Sequence, residues 1–234
     1  VFTEKIKAII FDLDDTLFDR DNAQIRIVDL FIQRFPDIFQ GISTDQIVTA
    51  FIESEQLIDM DWKAGKPAME IRSKRSGLFL GLLGIKQNIS EAITEIYMQS
   101  YPRMNIPVVG AVSLINELSN KFKLGVISNG FSDTQYKKIE AIGIDNLLSC
   151  VLISDEIGIQ KPDQGIFLRA AQLLGCYPDE CLFVGDSFSA DVVGAKAAGM
   201  LACWYNPELL PEEDELRADI VVRKLADLAL ILRR

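Results

Sequence analysis

The sequence contains no histidine. That absence excludes Ser-His-Asp and Cys-His catalysis, an imidazole base and histidine-ligated zinc. Acid–base work falls to Asp, Glu, Lys, Tyr or Cys. Cysteine is scarce as well: Cys150, Cys176, Cys181 and Cys203, with no CxxC pairing. Three of the four lie in apolar, strand-like runs, so they read as small buried hydrophobes rather than as redox or metal ligands. No apolar stretch approaches the ~20 residues that span a bilayer. The N-terminus lacks the basic-then-apolar layout of a signal peptide, so the expected compartment is the cytoplasm. Net positive charge is missing too. A formal charge of -10 argues against general binding to nucleic acid or to an anionic membrane.

With 234 residues, 49% of them hydrophobic, the chain can bury a substantial core as one large domain or two modest ones. Short apolar runs at 8–11, 123–128, 150–153, 181–186, 201–205 and 219–222 have the strand signature. From residue 106 onward they alternate with helical patterns at 110–122, 132–144, 164–175, 190–199 and 224–234. Strands separated by helices of this length predict βαβ units and a parallel sheet flanked by helices, the α/β class. The stretch 20–105 carries almost no strand signal. Its segments 22–35, 43–60, 67–84 and 90–101 read as helical, with a capping box at Ser43 and Gln46 and an N-cap at Ser90. The expected organisation is therefore a catalytic core of 1–19 with 106–234, and an inserted all-helical cap domain of 20–105. Pro107 to Gly110 reads as the return linker.

The stretch "KAIIFDLDDTLFD" sets Asp12, Asp14 and Asp15 directly behind a buried strand. Carboxylates this close raise one another's cost of ionisation, so stability does not account for them. In parallel α/β sheets, sites form at the carboxyl ends of strands. There the sequence offers Asp12, Asp14, Asp15 and Thr16, then Ser128-Asn129-Gly130, then Lys161-Pro162, then Asp186, with Asp191 in the following helical turn. A carboxylate cluster without Cys or His ligands suits a hard cation, Mg²⁺ before Zn²⁺. Mg²⁺ usually takes one or two carboxylates plus waters and phosphate, which leaves one aspartate free as a nucleophile. Lys161, Ser128 and the Asn129 and Gly130 amides could hold a phosphoryl group.

Together, "DLDDTL", "SNG", the "KP" after the third strand and "GDSFSADVVGAKAAGM" resemble, in order, the four motifs of the haloacid dehalogenase superfamily. The resemblance covers residues 8 to about 205, and the helical insert after the first motif matches the cap of many members. It implies a Rossmann-like core and a role for each motif residue. Asp12 is the nucleophile and a metal ligand. Asp14 is the general acid and base, and its backbone carbonyl is a metal ligand. Ser128 and Lys161 hold the phosphoryl group. Asp186 binds Mg²⁺ directly, and Asp191 supports the metal's water shell or Lys161. "ISNGF", "GAVSLINEL" and "CWYNP" look most like the nucleoside- and sugar-phosphate monophosphatases.

Several residues keep two readings. Thr16 donates either to phosphate or to backbone. Asp15 serves the turn, Glu156 reads as surface, and Asp191 also fits an acid favoured by a helix N-terminus. In "WKAGKPAMEIRSKR", the residues Trp62, Lys63, Lys66, Arg72, Lys74 and Arg75 either recognise a base or a second anionic group, or form a solvated helix face with Trp62 as packing. Phe18, Phe31, Phe35 and Phe51 are expected in the core of the bundle. The function expected is Mg²⁺-dependent hydrolysis of a small soluble phosphate ester, a nucleoside 5'-monophosphate first and a sugar phosphate second. One rival is a 2-haloacid dehalogenase, which uses the first aspartate but needs neither Mg²⁺ nor an acid/base at the second. The other is a phospho-accepting regulatory domain, which has about half this length and no cap.

Overall fold

The computed structural model describes residues 3–210 and 218–232, apart from the side chains of Thr3 and Lys63. The chain divides into two units: Val1–Asp19 with Asn105–Arg234, and Arg20–Met104.

The first unit is built on six parallel strands, β1 (Ala8–Phe11), β2 (Lys123–Ser128), β3 (Cys150–Ile153), β4 (Cys181–Gly185), β5 (Leu201–Tyr205) and β6 (Ile220–Val222). Their order is β3-β2-β1-β4-β5-β6, with every pairing parallel. The strands are near-continuous apolar runs because helices cover both faces of such a sheet. All four residues of β1 and all five of β4 are buried. Cys150, Cys181 and Cys203 are buried free thiols, pushed up by burial, Cys150 to about 11 and Cys181 to about 12. Thiols held protonated in this way pack as hydrophobes and are poor nucleophiles.

The second unit is helical: α1 (Arg20–Arg34), α2 (Pro36–Phe39), α3 (Thr44–Gln56), α4 (Asp59–Lys63), α5 (Ala68–Leu82) and α6 (Ser90–Ser100). The first unit contributes α7 (Ala111–Leu118), α8 (Ser132–Ala141), α9 (Ser154–Ile157), α10 (Gln164–Leu174), α11 (Val193–Ala197) and α12 (Leu225–Leu232). The capping box of α3 forms: Ser43 Oγ accepts from the Gln46 amide at 3.3 Å, and Gln46 Oε1 accepts from the Ser43 amide at 3.1 Å. Ser90 does not cap. It is already the first residue of α6, and the preceding Ile89 offers no side-chain acceptor.

Phe31, Phe51 and Phe79 are fully buried in the helical unit, with ring centroids 5.7–5.9 Å apart. Each such pair contributes roughly 0.5–1.5 kcal/mol beyond its area. Phe35 is only half-buried, beneath the Arg34 guanidinium. Phe18 is the exception to the expected grouping. It belongs to the first unit, where its backbone bridges to Asp14 and to Pro107. The return segment is thereby tied to the outgoing one: Asp19 N–H donates to Ile106 O at 2.9 Å, and Val108 N–H to Leu17 O at 2.9 Å.

Candidate active site

Strand β1 lies between β2 and β4, so the direction of winding reverses on either side of it. A crevice opens at such a switch point, beyond the carboxyl ends of the strands. Register places the acidic motif there. Phe11 pairs with Val126 and Val184, and the Asp12 amide donates to Val184 O at 2.8 Å. The chain then turns sharply. Asp15 adopts a left-handed φ of 60°, and its amide donates to Phe18 O at 2.7 Å. Short acidic side chains tolerate that conformation better than bulky ones.

Three carboxylates, Asp12, Asp186 and Asp191, gather with ligand oxygens within 4.8 Å of one another. Lys161 reaches into them. Its ammonium bonds to Asp12 Oδ1 and stands 2.7 Å from Asp191 Oδ1, with all three side chains nearly or wholly buried. Burial works against the charge of Lys161, but Asp12 and Asp191 outweigh it and hold the ammonium above the ordinary lysine range. Burial also pushes Asp12 well above the usual carboxylate range. Lys161 pulls it down, while Asp191 and Asp186 push it further up. Asp186 is raised to about 6 by burial and then by Asp191, against the Thr16 hydroxyl and Lys161. Three carboxylates face one ammonium, and that excess negative charge, presented by oxygen atoms alone, fits a hard divalent cation.

The local backbone explains how Asp191 arrives. After β4, Ser187 caps a single π-helical turn, Phe188–Val192, which leads into α11. Such turns are rare and occur frequently at functional sites. The turn directs Asp191 back over the strand end, where its Oδ2 accepts from the Ser187 amide at 3.0 Å. A Cβ on Gly185 would collide with that carboxylate, so only glycine fits there. Trp204 on β5 donates from its indole to Asp186 O at 2.7 Å, which anchors the strand end from the other side.

The remaining expected residues have diverse partners. Thr16 is fully buried and its hydroxyl donates to Asp186 Oδ1 at 3.0 Å, a side-chain partner rather than the backbone. A hydroxyl has one proton, and here an acidic neighbour takes it. The Asn129 side chain brackets the Lys161 backbone, donating to its carbonyl at 3.0 Å and accepting from its amide at 2.9 Å. Asn129 thus positions the lysine. The Gly130 amide donates to Ser154 Oγ at 3.2 Å. Ser128 Oγ is buried and accepts from Gln135 at 2.5 Å, which leaves its own proton available to donate.

Asp14 departs from the carboxylate cluster. Its Oδ1 accepts from Lys138 at 2.6 Å and its Oδ2 from Gln135 at 2.8 Å, both on α8. Sequence reasoning missed these two residues. The available signal was a polar pair three positions apart on a helix face otherwise directed inward. Asp15 and Glu156 stand outside the cluster; Glu156 is exposed and accepts from Tyr136.

The basic segment of the helical unit does not form one surface. Lys66 and Lys74 both pair with Asp61, at 2.8 and 2.5 Å. Arg72 and Arg75 are buried rather than solvated. The Arg75 guanidinium lies 3.6 Å from the Tyr97 ring centroid and donates to Glu55 at 3.2 Å. Glu55 also takes Arg20 at 2.8 Å and Gln24 at 2.5 Å. Trp62 is half-buried on α4, and the neighbouring Lys63 side chain lies outside the described residues.

Residues 6–199 match the haloacid dehalogenase-like hydrolases. The chain belongs to that family. It is similar to the pyrimidine 5'-nucleotidase YjjG of Escherichia coli, at 26% identity over 96% of each chain. It is 34% identical to the N-acylneuraminate-9-phosphatase of Mus musculus, over 86% of this chain and 83% of that one. The crystal structure of the HAD-hydrolase YfnB from Bacillus subtilis, bound to magnesium, superposes with a TM-score of 0.81 at 26% identity, covering 98% of this chain and 99% of the other. A solved 2-haloacid dehalogenase also matches, at an identity where the likeness is one of fold alone. This member of the family is a hydrolase with phosphatases and nucleotidases among its relatives. Among the described residues, no helix is long and apolar enough to cross a membrane.

Proposed function

We propose that this hydrolase is a Mg²⁺-dependent phosphomonoesterase that works through an aspartyl-phosphate on Asp12. Its substrate is a small phosphate ester, a nucleoside 5'-monophosphate first and a sugar phosphate second. The observation that carries the reading is the separation of the carboxylates into two kinds. Asp12 and Asp191 share Lys161, Asp186 gathers with them in one excess of negative charge, and Asp14 stands apart with its own partners. The first set can hold a cation beside a nucleophile, and the second can exchange a proton. The carboxylates of Asp12 and Asp186 and the Asp14 carbonyl would hold Mg²⁺, with Asp191 behind them. Bound there, Mg²⁺ would neutralise phosphoryl oxygens as charge builds in the transition state.

The chain's own groups account for the remaining steps. An Asp12 oxygen attacks phosphorus, and the bond from phosphorus to the ester oxygen breaks. Asp14 gives the leaving oxygen its proton. Lys161 and the Ser128 hydroxyl hold the transferring group. Asp14 then takes a proton from water, whose oxygen attacks phosphorus as the bond to Asp12 breaks. Phosphate leaves and both aspartates return to their starting states.

Phosphate release from a panel of nucleoside monophosphates and sugar phosphates, with and without Mg²⁺, tests the proposal. Chloride release from 2-chloropropionate is measured beside it. Mg²⁺-dependent phosphate release is expected. Metal-independent chloride release without phosphatase activity would overturn the reading in favour of a dehalogenase.

A further inference from the structure

Gln135 and Lys138 lie one turn apart on the same face of α8 and are 2% and 4% exposed. A buried ammonium carries a large desolvation cost unless it is closely paired. Lys138 meets that cost with Asp14 Oδ1 at 2.6 Å and with the Phe18 ring, whose centroid is 4.9 Å away. Gln135 Nε2 divides its donors between Asp14 Oδ2 at 2.8 Å and Ser128 Oγ at 2.5 Å. Gly130 allows this approach, since a Cβ there would stand 2.9 Å from the Gln135 amide carbon. The two oxygens of Asp14 are therefore inequivalent. Oδ1 is fixed by a buried charge. Oδ2 is held by a neutral amide that has a second acceptor available.

We infer that Lys138 and Gln135 are positioning residues for Asp14: Lys138 anchors Oδ1, and Gln135 links Oδ2, the oxygen that exchanges the proton, to the Ser128 hydroxyl. The inference rests on the phosphomonoesterase reading above. With Oδ1 held on Lys138, Oδ2 can exchange its amide partner for the ester oxygen or for water, and the Gln135 amide then keeps Ser128 Oγ as an acceptor. A residue needed only to satisfy the interior would leave no mark on leaving-group dependence. An anchor of the general acid would leave one, because an alkoxide needs the proton and p-nitrophenolate does not.

The test compares wild type, Lys138→Met, Lys138→Arg and Gln135→Leu with Mg²⁺ present. Substrates are an alkyl phosphate ester and p-nitrophenyl phosphate, followed in the steady state and by rapid quench. Lys138→Met is expected to lower kcat for the alkyl ester by about 10²-fold, the lower end of what general acid–base help contributes. With p-nitrophenyl phosphate it should give a burst near one equivalent and then a slow steady state. Lys138→Arg, which keeps a donating cation, should recover much of the alkyl-ester rate. Equal slowing of both substrates without a burst, or no slowing, would overturn the inference. Should Lys138→Met fail to fold, Gln135→Leu carries the decision: selective loss on the alkyl ester supports the inference, and an unselective effect refutes it. A wild type that releases no phosphate from any ester refutes the phosphomonoesterase reading itself and takes the inference with it, an outcome distinct from an active wild type with unselective variants.

Discussion

Replacing Lys161 with Met should destabilise the catalytic unit as well as silence it. The lysine is 5% exposed and stands between Asp12 and Asp191, which are 7% and 1% exposed. Methionine nearly matches its volume, so the change removes charge more than packing. It leaves the buried carboxylates of Asp12 and Asp191, and the half-buried Asp186 beside them, without an ammonium. Removing one partner of a buried ion pair costs about 3–5 kcal/mol, because the other charge stays unpaired. In a chain of this size each kcal/mol shifts Tm by roughly 2–4 °C, so the expected fall is about 6–20 °C. The two tryptophans give a clean probe. Trp204 lies on β5 of the catalytic unit and Trp62 on α4 of the helical unit. In a Trp62→Phe background, fluorescence follows the catalytic unit alone. Adding Asp191→Asn to Lys161→Met removes one of the uncompensated charges and should restore part of the lost stability. It should restore no activity, because the phosphoryl group would still lack its lysine. Urea and thermal unfolding of the three proteins without metal decide the matter. A Lys161→Met variant as stable as its parent, or a double variant no more stable than the single one, would refute the electrostatic account.

The raised carboxyl of Asp186 sets a pH dependence. Its folded value of about 6 lies above the unfolded range near 4, so its stabilising contribution is fully present below about pH 4 and lost as pH rises through 6. Metal-free Asp186→Asn should therefore match the parent near pH 4 and exceed it in Tm above pH 6. Saturating Mg²⁺ should reverse that order, and an unchanged difference across pH would dismiss the assignment. Asp12→Asn should abolish turnover and phosphoenzyme together. Asp14→Asn should give a burst of p-nitrophenol near one equivalent from p-nitrophenyl phosphate and none from an alkyl ester, both read by stopped flow. Arg75→Ala should lower stability by about 2 kcal/mol through loss of its contact with the Tyr97 ring, with KM unchanged for every ester tested; a KM change confined to the larger substrates would return Arg75 to the specificity residues.

Much of the architecture was legible in local pattern. Apolar runs of four to six residues between helical periodicities became six parallel strands, and their carboxyl ends carry the acidic motif. Periodicity records which face of an element is buried, and that is enough to order strands and helices. Helix boundaries were less legible. Ser90 looked like a cap, yet α6 begins on it, because a cap depends on which backbone turns first rather than on the residue type alone. Phe18 looked like bundle core because it follows the acidic motif into a helical stretch. It stays in the catalytic unit because its backbone pairs with the returning chain at Pro107.

The chemistry of the site divides along the same line. By itself the sequence determined that there is no imidazole, that carboxylates concentrate at the end of the first strand, and that oxygen donors favour a hard cation. Those statements depend on composition and adjacency. Partner choice needed the tertiary structure. Thr16 gives its single proton to Asp186, Asn129 brackets the Lys161 backbone 32 residues away, and Lys138 reaches Asp14 across 124 residues. Arg72 and Arg75 sit in a basic run that read either as a recognition segment or as a solvated helix face, and the folded chain buries both. A buried polar group must find a partner, but which partner depends on what else is packed within hydrogen-bond reach. Only the folded chain sets those distances.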